Sequence, residues 1–477
     1  MSRTKLQRHK QQGKRLLPPL HGYGNLSWTN ERLPQMLWAA LLITNLSRER
    51  ALHIFREAAK CFMTTMSGKV YPDLTHYGLA NLPTELTEAI LRAATADESA
   101  KTVLSSLLVY DELPARELWA SKVGTVRVSN PHELLMRAVE KTFWHQTQEA
   151  TDCRWLRILP LVLTGRMEMP DKHFEQVVNF PVEGDMREVR PMIRCEELSM
   201  SGFEQHTGHS KKLELWTQAF WAQNLRDSPC FPLLREESEP EIQRGTTLQR
   251  LNDVYRFLVQ HTAATRRDTG VDARHDTTFG FGLYSLSIVR ELLSIGNSSS
   301  IIGRLGLRTM LESYVTLAYL TYKGKPELWK SHRVFGAGQA KLSYLKLEEL
   351  KVEKCFADSA ILKEIANEDI WEEFLPIDIG HWEDSNLRRE AVEAGVKPDY
   401  DKYYAWTSTF AHSHWGSVRE TVFETCGNPL HRLHRIPKQS PKQLPDVISD
   451  ACELADKTLE LVSKLYPAFP HRLSANT

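Results

Sequence analysis

Apolar positions recur at three- and four-residue intervals along most of the chain, the spacing of one face of a helix. Leu33, Leu37 and Leu41 lie at i+4, and Trp38 and Leu42 widen the stripe. Pro34 suits a first helical turn, and Thr29 or Asn30 can cap it. Ser47 opens a second segment, with Ala51, Ile54, Phe55 and Ala58 on one side. Pro83-Thr84 starts a third, carrying Leu86, Ile90 and Leu91; Leu104, Leu107 and Leu108 mark a fourth. Asn130-Pro131 starts a fifth, with Leu134, Leu135, Ala138 and Val139. No fixed-period repeat is present, so no named repeat array is expected. Residues 162–203 break the pattern. Pro170, Pro181 and Pro191 with Val177, Val178 and Val182 suggest a long loop or a small strand pair.

Residues 227–245 read as a linker, with Pro229, Pro232 and Pro240 beside Glu236, Glu237, Glu239 and Glu241. Helical spacing returns over 248–261, through Leu251, Val254, Tyr255 and Leu258. The polar, glycine-bearing stretch 265–282 reads as a loop, and 283–295 as a helix stopped by Gly296. The strongest helix is 298–322, with a serine cap and a stripe of Ile301, Leu305, Leu311, Val315, Ala318 and Tyr319. Its expected antiparallel partner is 326–350. Further helices fit 387–394, 399–412, 414–426 and 445–465. The expectation is an all-α protein. A basic, disordered tail (1–27) precedes an irregular helical domain (28–226); a linker (227–245) then leads to a C-terminal helical bundle (246–477).

Composition narrows the class. Sixty Lys plus Arg balance 60 Asp plus Glu, which argues against a polybasic nucleic-acid or membrane-surface binder. Hydrophobic residues make up 42%, enough for a sizeable core in 477 residues. No apolar run is long enough to cross a bilayer, and Pro18-Pro19 interrupts the N-terminal leucines where a signal peptide needs its core. The seven cysteines are odd in number and form no Cys-x2-Cys pair, which fits reduced thiols in a cytoplasm.

Two constellations carry candidate chemistry. Arg308 and Glu312 lie one turn apart beside the 298–322 stripe, with Arg304 a turn before. They form either an ion pair that orders the bundle or an arginine poised for an anion. Tyr404, Ser408 and His412 share one face of the 399–412 helix, amid Tyr400, Tyr403, Trp406, His414 and Trp415. A phenol, an alcohol and an imidazole in a row can be a structural hydrogen-bonded set, or can move protons and hold phosphate. Weaker signals are His206-x2-His209, near Cys195, and His431-x2-His434, both read as loop histidines. No metal or cofactor is expected. Walker, dinucleotide-glycine and Gly-x-Ser-x-Gly patterns do not occur. Trp144, Trp155, Trp216, Phe220 and Trp221, interleaved with Arg154, Arg157 and Arg226, suit core packing better than stacking of single-stranded nucleic acid.

Asn386-Leu387-Arg388-Arg389-Glu390-Ala391 through Gly395, followed by Tyr400, Tyr403, Tyr404, Ser408 and His412, resembles the signature of a bacterial all-helical family of unknown function. That family carries Arg-x3-Glu on one helix, matched by Arg308 and Glu312. Further along comes an amphipathic helix, a glycine, and Tyr-Tyr-x3-Ser-x3-His, matched by Tyr403, Tyr404, Ser408 and His412. The likeness covers 290–420. Members are similar to abortive-infection and phage-defence proteins, some of them metal-independent ribonucleases of the HEPN type. The resemblance therefore implies two functions. One is an interaction or sensor module, with a protein partner or self-association and no membrane. The other is a ribonuclease acting on RNA, with Arg308 on phosphate and His412 moving protons. The HEPN-like Arg-x4-6-His spacing occurs at Arg48 and His53, but outside the resembling region and with Glu49 where a small polar residue is usual.

Overall fold

The computed structural model describes the chain apart from residues 1–9, 13–14, 18–26, 66–69, 207–209, 234–243, 268–269, 295–296, 352–355, 369, 381, 384, 439–442 and 475–477. It is 72% helical, which makes the fold all-α. Two compact units divide it. The first comprises residues 1–234 and 425–436, the second 235–424 and 437–477.

The first unit is built around the helix Leu37–Asn45. Every side chain from Leu37 to Leu42 is fully buried. A helix apolar on all sides has to be sheathed by others. Arg48–Thr65, Glu98–Leu104, Pro131–Thr142 and Gln148–Leu163 sheathe it. The N-terminal cap differs from expectation: Ser27, not Thr29 or Asn30, accepts the Asn30 N–H. Thr75, Asp97, Asn130 and Thr147 cap four later helices in the same way, each supplying an acceptor to an otherwise unpaired first-turn amide.

The 162–203 stretch is helical, not loop or strand. Asp171–Val178 and Met186–His206 carry Val177, Val189 and Ile193 into the core, and the turn between them adds Phe180. The prolines misled because Pro170 and Pro181 flank the first helix, while Pro191 lies inside the second, which runs on past it. In the N-terminal tail, Lys10–Gln12 pairs antiparallel with Arg15–Leu17; of the rest of the expected disordered tail only Ser27 is described, and the acidic cluster 236–241 lies outside the described residues.

In the second unit Arg244–Thr265, Ala273–Ser294, Ile301–Lys323, Lys397–Ala411 and Ile448–Leu465 enclose one core. The expected 265–282 loop is helical from Ala273. Asp272 accepts the His275 amide at 3.0 Å to start the helix, and a Cβ on Gly282 would sit 3.1 Å from Leu258, so this glycine allows close helix packing. Pro326–Leu350 packs on Ser359–Ala366 and Ala273–Ser294; the flanks of Ile301–Lys323 are taken by Ala273–Ser294, Lys397–Ala411 and Ile448–Leu465. The expected 414–426 helix ends at Val422. Phe423–Thr425 is a strand paired with Arg435–Pro437, as its aromatic and β-branched residues favour.

Leu41→Ala opens a cavity at the centre of the first unit. It should destabilise that unit by about 2–5 kcal/mol, measured as a lower urea midpoint at unchanged slope.

Candidate functional site

Ile301–Lys323 and Lys397–Ala411 run antiparallel, as three contacts along their seam show. Arg304 lies over Phe410 at 6.0 Å, Arg308 over Tyr404 at 3.9 Å, and the Tyr314 hydroxyl donates to Asp399 at 3.4 Å. Arg304 is buried, and its guanidinium donates to the carbonyls of Ser298, Ser300 and Pro445. Burial lowers its pKa. These bonds anchor the start of the helix and leave Arg304 a structural role.

Arg308 is the centre of the seam. Its Nη2 meets Glu312 Oε1 at 2.8 Å; its own side chain is 12% exposed, that of Glu312 48%. Nη1 is buried without a hydrogen-bond acceptor. The guanidinium instead lies on the Tyr404 ring, whose electron-rich face attracts it. Tyr404 stacks on Tyr400, centroids 4.4 Å apart. Burial, and next the neighbouring Tyr404, push the Tyr400 phenol up to about 12. The structure thus brings Arg308, Glu312 and Tyr404 together. Ser408 sits half-buried one turn beyond Tyr404. His412 is exposed at the helix end, where its amide donates to the Ser408 carbonyl at 3.2 Å. Eight residues separate Tyr404 from His412, or roughly 12 Å of helical rise.

Tyr403 faces another way. Its hydroxyl donates to Asp450 at 2.8 Å and to Glu453 at 3.2 Å. Lys402 bridges the same two carboxylates, and Lys457 links Glu453 to Asp399, each at 2.6 Å. This network fastens Lys397–Ala411 to Ile448–Leu465. Sequence spacing could not show it, because three of its members, Asp450, Glu453 and Lys457, come from the C-terminal helix.

The other candidate residues fall into place in the first unit. Arg48 is held bidentately by the fully buried Asp152, at 2.7 and 2.8 Å, so its guanidinium serves to neutralise a core carboxylate. Trp155, Trp216, Phe220 and Trp221 are buried, with indole N–H groups donating to Val177, Pro34 and Asn30 carbonyls. Arg154 and Arg157 both meet the buried Glu197. These aromatics are core, as expected. Trp144 remains exposed. The side chains of His206 and His209 lie outside the described residues.

One further cluster converges in the first unit: Cys230, Cys426, His431 and His434. Sequence spacing gave His431 and His434 no thiol partner. The local signal was Cys426-x4-His431-x2-His434; Cys230 lies 204 positions before His434 and is joined to it only by folding.

Fold and seam together define an all-helical protein in which a guanidinium–tyrosine contact and an ionic network bind one helix into a bundle. Residues 289–428 match the model of a family of unknown function, DUF5677, and that segment holds Arg308, Glu312, Tyr404, Ser408, His412 and Cys426. Comparison with curated proteins gave no match, and comparison with solved structures gave none either. Among the described residues no helix is long and apolar enough to cross a membrane.

Glu453 is held down at about 2, first by its bond to Lys457 and then by that to Lys402. A carboxylate depressed in the folded state stabilises it fully above its ordinary pKa, and the benefit fades as pH falls through the folded value. Between about pH 5 and pH 2 the second unit should therefore lose more stability in the wild type than in Glu453→Gln, read as the slope of melting temperature against pH.

Proposed function

We propose that this chain acts as a binding or sensor module through the turn that closes Lys397–Ala411, and that its partner is a protein. One observation carries the reading. Trp406 is 50% exposed and Trp415 61%, and between them His412 and His414 stand exposed with rings 5.9 Å apart. Ile301 and Ile302, 39% and 52% exposed, begin the antiparallel helix at the same end. Large aromatics left in water around a fixed turn are the composition of interface centres. The turn is held firm from behind. Arg308 stacks on Tyr404, Tyr403 bonds Asp450, and a Cβ on Gly416 would meet the Trp406 ring at 3.2 Å.

Charge favours protein over RNA. No lysine or arginine occurs between Ala405 and Gly416, whereas nucleic-acid affinity rests on cations at phosphates. The ribonuclease reading needs Arg308 and His412 at one phosphodiester. Donors have to lie about 2.7–3.1 Å from a reacting oxygen, and the two-turn offset along the helix gives that reading no support. A defence setting, which the resemblance implies, would make that partner a protein made or altered during infection.

The test compares wild type with Trp406→Ala/Trp415→Ala. The double variant should keep its melting temperature while self-association, or capture of a cellular protein, weakens by about thirtyfold or more, the ~2 kcal/mol of a hot-spot pair. Cells expressing the wild type should resist phage that lyse cells expressing the variant. RNA cut by the wild type and left intact by His412→Ala would instead establish the ribonuclease.

A further inference from the structure

The geometry points to a structural zinc site formed by Cys230, Cys426, His431 and His434, independent of the binding role above. Their ligand atoms all lie within 4.8 Å of one another. Cys230 Sγ is 3.4 Å from His431 Nδ1 and 3.3 Å from His434 Nε2; Cys426 Sγ is 3.3 Å from His431 Nδ1. Zinc bonds of about 2.3 Å to sulfur and 2.0–2.1 Å to nitrogen place tetrahedral sulfur–nitrogen pairs roughly 3.5 Å apart. The two imidazole planes stand at 86°, so the rings approach a shared point from different directions. Two thiolates with two imidazoles and no carboxylate select zinc over the hard, oxygen-seeking cations. Four protein ligands close the coordination sphere, which marks a structural ion.

The surroundings are built for this. His431 is 4% exposed, and its Nε2 faces the Asn224 carbonyl at 3.1 Å. A carbonyl only accepts, so Nε2 carries the proton and Nδ1 turns its lone pair toward both sulfurs. Asn428, 1% exposed, donates to the Pro229 carbonyl and to Ser228 Oγ at 3.0 Å each, tying the strand of one cysteine to the turn of the histidines. The backbone keeps that register. The Cys426 amide donates to the His434 carbonyl at 2.9 Å, and the Gly427 amide to that of Phe231 at 2.7 Å. Between the histidines, Arg432 and Leu433 both adopt left-handed φ, 54° and 52°. Two successive non-glycine residues in that region are strained and persist only where surrounding bonds over-determine them. The turn they make is what brings His434 back to Cys230.

Such an ion explains how residues 425–436 belong to the first unit. Leu430 is fully buried in that unit's core, and the zinc would fix the returning segment to the stretch that carries Cys230.

The experiment uses the full chain, purified under reducing conditions without chelator. Elemental analysis should find about one zinc per chain, and replacement by cobalt(II) should give thiolate-to-metal charge-transfer absorption with the intense visible bands of a tetrahedral ion. Cys230→Ser, at an exposed position, should keep the helical circular dichroism, lose part of the charge-transfer intensity, and weaken zinc by more than the ~10–100-fold that loss of an outer-shell partner costs. Folded wild type that takes up neither zinc nor cobalt at one equivalent would overturn the proposal. So would a Cys230–Cys426 disulfide in that material, or a cobalt spectrum unchanged in Cys230→Ser.

Discussion

Desolvation governs where this chain can place its charges, and the rest of the architecture follows from it. A guanidinium or carboxylate taken out of water destabilises the fold unless something of opposite character meets it. Asp152, fully buried, is met by both arms of Arg48; Glu197 by Arg157 and Arg154; Arg304 by three carbonyls; Arg308 by Glu312 on one edge and the Tyr404 ring on its face. In most of these cases the partner comes from another helix. Neutralisation and helix packing are then a single event: the charges specify which helices meet, and the apolar stripes supply the area that holds them.

The same constraint separates paired from open side chains in the family-matched segment. The side chains nearest a catalytic appearance, Arg308 and Tyr404, are held against each other, with Arg308 also paired to Glu312. Those left open are Trp406, His412, His414 and Trp415, on a turn whose supporting helix is tied at Tyr403, Tyr404 and Asp399. A rigid stalk carrying exposed aromatics suits recognition, because little conformational entropy remains to be lost when a partner docks. The cysteine–histidine cluster extends this logic to the first unit: the bonds of His431 Nε2 to the Asn224 carbonyl and Ser228 Oγ, and those of Asn428 to Ser228 and Pro229, orient the ligands before any ion arrives.

Much of the helical content was legible because it rests on local periodicity. The helix beginning at Ser300 was marked by its cap and its stripe, and Pro131–Thr142 by the Asn130 cap followed by proline. The failures were local signals outvoted by packing. Prolines around 170–191 suggested loops, yet Pro170 and Pro181 flank one helix and Pro191 lies inside the next, while Val177, Val189 and Ile193 face the core. Gly280 and Gly282 suggested a loop, yet Gly282 is where Leu258 needs room.

By itself, then, the sequence determined the all-α class and most helix positions, and set Arg308 one turn from Glu312, since all of these depend on neighbours within one or two turns. Only the tertiary structure decided that Arg308 rests on Tyr404, that His412 stands two turns away from it, and that Cys230 meets Cys426, His431 and His434. Those arrangements depend on which helices pack and where the chain returns. Contacts between residues far apart along a chain are chosen by the burial and charge balance of the whole core, which no short stretch of sequence records.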